Sequence, residues 1–586
     1  MSQTPIGLIT PTLKINGTPA TAGVLNALVS IDVDRSLNLV GRASLRFVEQ
    51  AFDVEVQPGL TLGTAVEIGV LDGPQLIKGT VTGFSLDQDL ERSAGTTLTV
   101  TVDDDAHKLA RSTTHQALLK MTYTEALKAV ISASGLTPDV LSMSTVEEYV
   151  LQSGTALSFL DWVCARQGLQ WWVEGRTLTV EKAGTSSATV QLKLGEDLIR
   201  LSTRASDRHP NEVTVTGWDP KQQVQVTSTA TPAGGDAESR LAQKFPGRGG
   251  QPTGKVTLPA LAMTTGEAQA VSKALLAQST AAAVTTRGTA FATPALKPGT
   301  TVQISRAGGA SGSYLVSRVQ HSYTSSGFYT HFTAGPFQPQ SLVDLLATPP
   351  PSGGALSGHL ATAVVTNNHD PQNEHAGQVK VKLSTYGAGV ESQWARVVTL
   401  GGGASRGAVF HPEVGDEVLV GFEDGDTRRP VVIGGLFSDK NALPSTDNVD
   451  NGKVNYRRIT SRLGHIIELY DGASEAEKYV QLKTAGGHYV KVAEDKLELK
   501  VSNKPVSITN GPAKIEFTDQ GDITIQGANI TIKADQAVKI EGMDVSVKGT
   551  GNASVEGKMV DVKASASGSI DGGGSLTVKG GTVAIN

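Results

Sequence analysis

The chain is poor in several things, and each shortage excludes something. Its 586 residues hold a single cysteine, Cys164, so neither an intrachain disulfide framework nor a cysteine-rich zinc site is available. Aromatic residues make up 5%, which leaves the cores to Val, Ile, Leu and Ala. No apolar run approaches the ~18 residues of a membrane-spanning helix. The start, MSQTPIGLIT, lacks the basic and then apolar stretch of a secretory signal, so synthesis as a cytosolic chain is expected. Basic residues do not cluster, and 51 Lys and Arg against 57 Asp and Glu give 51 − 57 = −6. Without a basic face there is no electrostatic footprint for nucleic acid, and none is expected as a partner.

What is present is small-residue, β-type sequence. There are 65 glycines, 25 prolines and 39% hydrophobic residues, enough for packed cores and, at roughly 150 residues per domain, about three to five domains. From Ile6 to Val102 short apolar runs alternate with Gly and Pro breaks, such as Asp72-Gly73-Pro74, which predicts a small barrel. Helical spacing follows over Thr124–Ile131 and Thr155–Gln167. The second places Leu157, Leu160, Val163 and Cys164 on one face, so Cys164 reads as a core side chain. Strands resume at 169–180 and 211–218, an Ala-rich helix is predicted over 265–283, and further strands lie at 301–304 and 314–316. Ala347-Thr348-Pro349-Pro350-Pro351-Ser352-Gly353-Gly354 reads as a linker. Beyond it, five or so short strands in about 80 residues suit an oligonucleotide/oligosaccharide-binding (OB) barrel, a fold name that carries no ligand.

The last part of the chain is an internal repeat. Apolar pairs at i, i+2 recur at Ile523/Ile525, Ile530/Ile532, Val538/Ile540, Val545/Val547, Val560/Val562, Leu576/Val578 and Val583/Ile585. Their starts advance by seven or eight residues, a period of about fifteen. Such short strands bury an apolar face only by stacking along an axis. Either one chain coils with three units per rung, or three chains intertwine.

Several stretches resemble one family, the valine–glycine repeat protein G (VgrG) spikes of contractile injection systems and the related hub and spike proteins of contractile-tailed phages. In the OB block these are HDPQNEHAGQVKV (His369–Val381), SQWARVV (Ser392–Val398), FHPEVGDEVLVGFEDGD (Phe410–Asp426) and RPVVIGGLF (Arg429–Phe437). Gln378 stands where the family commonly has Arg. Upstream, TALSFLDWVCARQGLQWWV (Thr155–Val173), VTVTGWDPKQQ (Val213–Gln223), GTAFATPALKPGTTV (Gly288–Val302) and GSYLVSRVQHSYTSSGFYTHF (Gly312–Phe332) resemble the hub. Downstream, RRITSRLGHIIELYDG (Arg457–Gly472) resembles the neck.

The resemblance implies a mainly β chain: a hub of two small barrels with helical insertions (1–346), a linker (347–358), an OB-fold domain (359–443), a neck (444–472) and a triple-stranded β-helical needle (473–586). It implies a homotrimer, and with it the intertwined stack. The needle core is then Ile523, Ile530, Val538, Ile540, Val545 and Val560. Expected partners are a hexameric inner tube above, baseplate components, a target membrane met mechanically, and a proline-alanine-alanine-arginine (PAAR)-like tip protein docking on Val583, Ala584, Ile585 and Asn586. Assembly in the bacterial cytoplasm would precede ejection toward a target cell or release in an extracellular particle.

Gly403-Ala404-Ser405-Arg406-Gly407 fits a nucleophile elbow in letters, but that motif needs a strand before and a helix after it, and β-type sequence follows here. His369, Asp370, Glu374 and His375 lie within seven residues, and a solvated loop is expected rather than a metal site. Asp103-Asp104-Asp105 is expected to solvate a turn. No cofactor, metal or catalytic residue is expected. The rival reading is a trimeric β-helical enzyme acting on surface glycans; an adhesin is disfavoured because no Trp or Tyr follows Tyr489.

Overall fold

A computed structural model describes the chain except residues 1–8, 50–59, 89–95, 183–187, 206–211, 220–221, 232–254, 260–263, 282–283, 336–359, 388, 446–447, 473–476 and 586. The Pro-rich stretch 347–354, taken from sequence as a linker, lies outside the described residues. Two compact units separate, Met1–Leu443 and Pro444–Asn586.

Within the first unit, alternation of Val and Ile with polar residues builds one 13-stranded sheet. Its two halves meet where Gly312–Thr324 pairs antiparallel with Leu28–Ser36, Arg318 opposite Ser36 and Tyr323 opposite Ile31. The seam is pinned by side chains: Arg318 Nε donates to Asp34 Oδ1 at 2.9 Å and Gln320 Nε2 to Asp32 Oδ1 at 2.6 Å. Each half encloses its own core, one around Ile31, Leu45, Ile68 and Val100, the other around Leu192, Leu198, Ile304 and Val316. The two barrels read from sequence are thus continuous through one sheet.

A helical layer forms a third core. The Tyr123–Ala133 helix opens with a capping box: Thr122 Oγ1 accepts from Glu125 N while Glu125 Oε2 accepts from Thr122 N, which satisfies two donors that no helical carbonyl reaches. The Ala156–Gln167 helix is capped by Thr155 and ends at Gly168, left-handed with φ 65. A Cβ at Gly168 would lie 3.1 Å from Ala274 on the Thr265–Ala281 helix, so both backbone conformation and close packing call for glycine. Cys164 is buried on the inward face, as its spacing suggested, with burial pushing its thiol well up.

Two features depart from the sequence reading. Asp103, Asp104 and Asp105 do not solvate a turn; all three are buried. Asp103 takes Arg42 and Thr82, and Asp104 accepts from Gly41 N at 2.8 Å and caps the short 3-10 helix Asp105–Ala110. Pairing with Arg42, Thr82 and the N–H groups of Gly41 and Ala106 offsets part of the cost of burying these oxygens. The antiparallel ribbon of Thr113–Thr122 with Val146–Thr155 was also not foreseen. Its strand Val146–Thr155 is covered on both faces: Val150 enters the helical core, Tyr149 and Leu151 the OB core. Two-sided burial erases the alternation by which strands are read.

The OB block is a closed five-stranded barrel of Ala361–Asn367, Gln378–Leu383, Ala395–Val397, Pro430–Gly435 and Glu417–Phe422, in that spatial order. Alternate residues Val379, Val381, Val418, Val420 and Val432 point inward.

In the second unit, five strands from Tyr456–Thr460 to Leu497–Lys500 form an antiparallel meander, followed by three from Val506–Asn510 to Ile523–Gln526. Between 527 and 585, the described residues form no strand within the chain.

Candidate functional site: an ionic joint and an uncovered sheet face

The first feature lies inside the first unit, where the barrel meets the hub. The turn between the strands Glu417–Phe422 and Pro430–Gly435 carries Glu423-Asp424-Gly425-Asp426, then Arg428 and Arg429. Asp424 adopts φ 52, which tightens the turn. Asp426 accepts from the Arg428 backbone N at 2.9 Å and grips the same residue's guanidinium at 2.7 Å. So held, Arg428 reaches Glu267 at 2.8 Å on the Thr265–Ala281 helix and Glu147 at 3.4 Å on the ribbon. Glu267 is shared with Arg166 of the Ala156–Gln167 helix, whose guanidinium lies 5.2 Å over the Trp162 ring. Arg429 Nη2 donates to Trp218 O at 2.5 Å, in the hub strand Glu212–Asp219.

The charges are deeply placed: the Arg428 and Asp426 side chains are 3% and 5% exposed. Burial alone would raise the Asp426 carboxyl, but the charge and hydrogen bonds of Arg428 outweigh it and hold it below the usual carboxylate range. For Glu147 burial prevails over Arg428, and its carboxyl is pushed up. Two guanidiniums thus face three carboxylates. A buried pair is costly to break, because the partner left behind stays charged and dry. Asp426 and Arg429 lie within stretches that resemble the family, which give them no role. The available signal was an acidic turn followed at once by Arg-Arg before a buried strand.

The second feature is a face of the second unit. In the five-stranded meander Leu469, Val480, Val492 and Leu497 lie opposite one another in one cross-strand row. Ile459, Ile467, Leu482, Val490 and Leu499 form the next. These nine residues are 40–72% exposed in the single chain. The opposite face is polar and self-satisfied. Glu468 is buried between Arg458 and Tyr479, whose hydroxyl donates to it at 2.9 Å. Tyr470 stacks on Tyr479 at 5.0 Å, and Lys491 lies 4.0 Å over that ring. Burial and Glu468 together push the Tyr479 hydroxyl up to about 12. An antiparallel sheet ordinarily buries its apolar face and wets the other; here the apolar face is bare.

The same holds further on. The sequence-assigned needle residues Ile523, Ile530, Val538, Ile540, Val545 and Val560 are all exposed in one chain, as are Val583, Ala584 and Ile585 of the assigned docking end; Asn586 lies outside the described residues. A period that sequence inspection had read only from its apolar pairs is also written in glycine. Gly527, Gly542 and Gly557 fall 15 residues apart, and a Cβ on each would lie 3.3–3.5 Å from the carbonyl oxygen two residues on. The turns after these three glycines therefore repeat one close backbone approach.

The remaining sequence candidates form no such group. Ser405, φ 54, sits in a reverse turn closed by Gly403 N to Arg406 O at 3.0 Å, not between a strand and a helix. Asp370 takes His375 at 3.0 Å, and that ring stacks on Trp394. Among the described residues no three His, Cys, Asp or Glu side chains gather as a metal site. None of the helices described is long and apolar enough to cross a membrane.

Known proteins align with this architecture in order. Residues 361–437 match the Type VI secretion system/phage-baseplate injector OB domain, and residues 5–325, more than half of the chain, match the Alg8 N-terminal domain. The Type VI secretion system spike protein VgrG5 of Pseudomonas aeruginosa is 35% identical over 124 residues, 20% of this chain. The chain spans about 15% of that relative's length. Among solved structures, the c3393 protein of E. coli, a component of the type VI secretion system, aligns over 72% of this chain and 99% of its own at 16% identity and a TM-score of 0.46. A chain of the PdpA–VgrG complex aligns over 88% and 98% at 8% identity and 0.47. Because the Alg8 N-terminal domain match spans more than half of the sequence and is followed by an injector OB domain, this chain belongs to the Alg8 N-terminal domain family.

Proposed function

We propose that the chain is the structural spike of a contractile injection system and that it works as a homotrimer. The observation that carries this reading is the bare apolar face of the second unit, together with the 527–585 repeat, which forms no strand within the chain among the described residues. A single-chain coil would pair successive units internally. Three intertwined copies would cover every apolar row and satisfy the unpaired backbone at once. The result is a stiff prism of ladder hydrogen bonds around a Val and Ile core, suited to transmitting force rather than to chemistry.

On this reading the hub would join a hexameric inner tube to the threefold needle, with baseplate components around it. The needle would assemble in the bacterial cytoplasm, meet a target membrane mechanically, and carry a PAAR-like tip protein at Val583, Ala584, Ile585 and Asn586. Native mass determination of the full chain tests the proposal. The expected mass is three times 61.0 kDa; a folded monomer at micromolar concentration would overturn it. Deleting residues 582–586 is expected to abolish capture of the tip protein while the trimer persists.

A further inference from the structure

We infer that the turn 423–429 is a latch that fuses the OB barrel to the hub, so that the two open, and carry load, as one body. Barrels of this size fold as separate domains, and an ordinary linker would let one open without the other. Here one turn of the barrel is bound to three hub segments remote in sequence. Arg428 reaches the ribbon through Glu147 and the Thr265–Ala281 helix through Glu267, and Arg429 reaches the Glu212–Asp219 strand through Trp218 O. A second connection runs beside it, since Tyr149 and Leu151 of the ribbon are part of the barrel core.

The chemistry makes the latch all-or-none. Asp426 fixes the Arg428 guanidinium from within the barrel itself. If the barrel withdraws, the half-buried Glu147 and the buried Glu267 lose their shared cation, unless water follows. Arg166 remains for Glu267, but it lies on the hub side and holds nothing of the barrel. Because the pairs are buried, salt screens them little. Opening the barrel therefore carries the cost of exposing hub carboxylates, and the hub's stability is lent to the barrel. The latch is a property of one chain; only its use in passing force rests on the proposed spike function.

Hydrogen exchange on the full chain tests it, read separately in the barrel strands Ala361–Asn367 and Glu417–Phe422 and in the hub strand Arg42–Glu49. In the wild type, barrel and hub amides are expected to open at a common slow rate. Arg428→Met is expected to speed barrel exchange at least about a hundredfold while leaving Arg42–Glu49 unchanged. Glu147→Gln, which keeps the shape and one acceptor, is expected to give a smaller rise in the barrel alone, and decides the matter should the methionine variant not fold. Arg457→Met, which removes an exposed pair with Asp471, is the control and should change neither. Unchanged barrel exchange, or barrel and hub rising together, would overturn the latch. Native mass tests the spike, so the two readings fail separately.

Discussion

In the first unit Val365, Val379, Val381, Val418 and Val432 close on one another inside a barrel and are 0–1% exposed. In the second, Leu469, Val480, Leu482 and Val492 form equally regular rows and stay about half exposed. Both regions use the same alternation and the same residue types. They differ in closure. Five strands of three to seven residues with bulges can curl until first meets last, as Ala361–Asn367 meets Glu417–Phe422. A meander joined by tight turns, and then units of two apolar residues, has too little chain per layer to curl. Apolar alternation therefore specifies a buried face without saying which molecule buries it.

The largest test of that contrast is a charge on the axis of the proposed needle. Val538→Asp should cost several kcal/mol per chain, since three carboxylates would be buried unpaired in one layer. Lys539→Asp, one residue on and therefore on the other side, should change stability by under about 0.5 kcal/mol. Thermal midpoints of the second unit, followed at several concentrations, read both. They should also rise with concentration, as the first unit's should not. Equal midpoints for the two variants would place the register wrongly.

A middle-sized effect probes the self-sufficient unit. Gly168→Ala forces a side chain into a left-handed residue and against Ala274 at 3.1 Å. The expected loss is about 1–2 kcal/mol, seen as a lower urea midpoint for the first unit only. A midpoint shared by both units would show them to be coupled.

The smallest effect is a pH dependence confined to the first unit. Burial lowers His321 from 6.5 to about 4, so its contribution is complete above about 6.5 and lost as pH falls toward 4. Burial raises Asp104 from 3.8 to about 7, against the pull of Gly41 N, Ala106 N and Arg35. Its contribution is complete below 3.8 and lost as pH rises through about 7. The two slopes oppose each other between about pH 4 and 6.5. His321→Asn should leave stability falling with pH across that window, and Asp104→Asn should leave it rising. Urea midpoints at three pH values in the window check the signs; parallel slopes in both variants would refute the assignment.

Much of this was legible in the residues. The three main helices were visible because caps and apolar spacing are local. The barrel was visible from strict alternation in Gln378–Leu383 and Glu417–Phe422. The repeat was visible because periodicity survives without any contact being known. The ribbon was missed because Tyr149, Val150 and Leu151 serve two cores and follow no single period. The ionic joint was missed because its members lie as much as 281 residues apart, and nothing local marks a glutamate that will be buried.

The sequence by itself determined which faces are apolar, where a turn such as Gly168 needs glycine, and that the last part of the chain repeats. Those are consequences of side-chain size, polarity and spacing, which do not depend on what lies nearby. Only the tertiary structure decided that two β halves share one sheet through Arg318 and Asp34, that three aspartates go inward, and that Arg428 spans barrel and hub. Each of those turns on whether a polar group finds its partner, and partners are set by how distant segments of the chain meet.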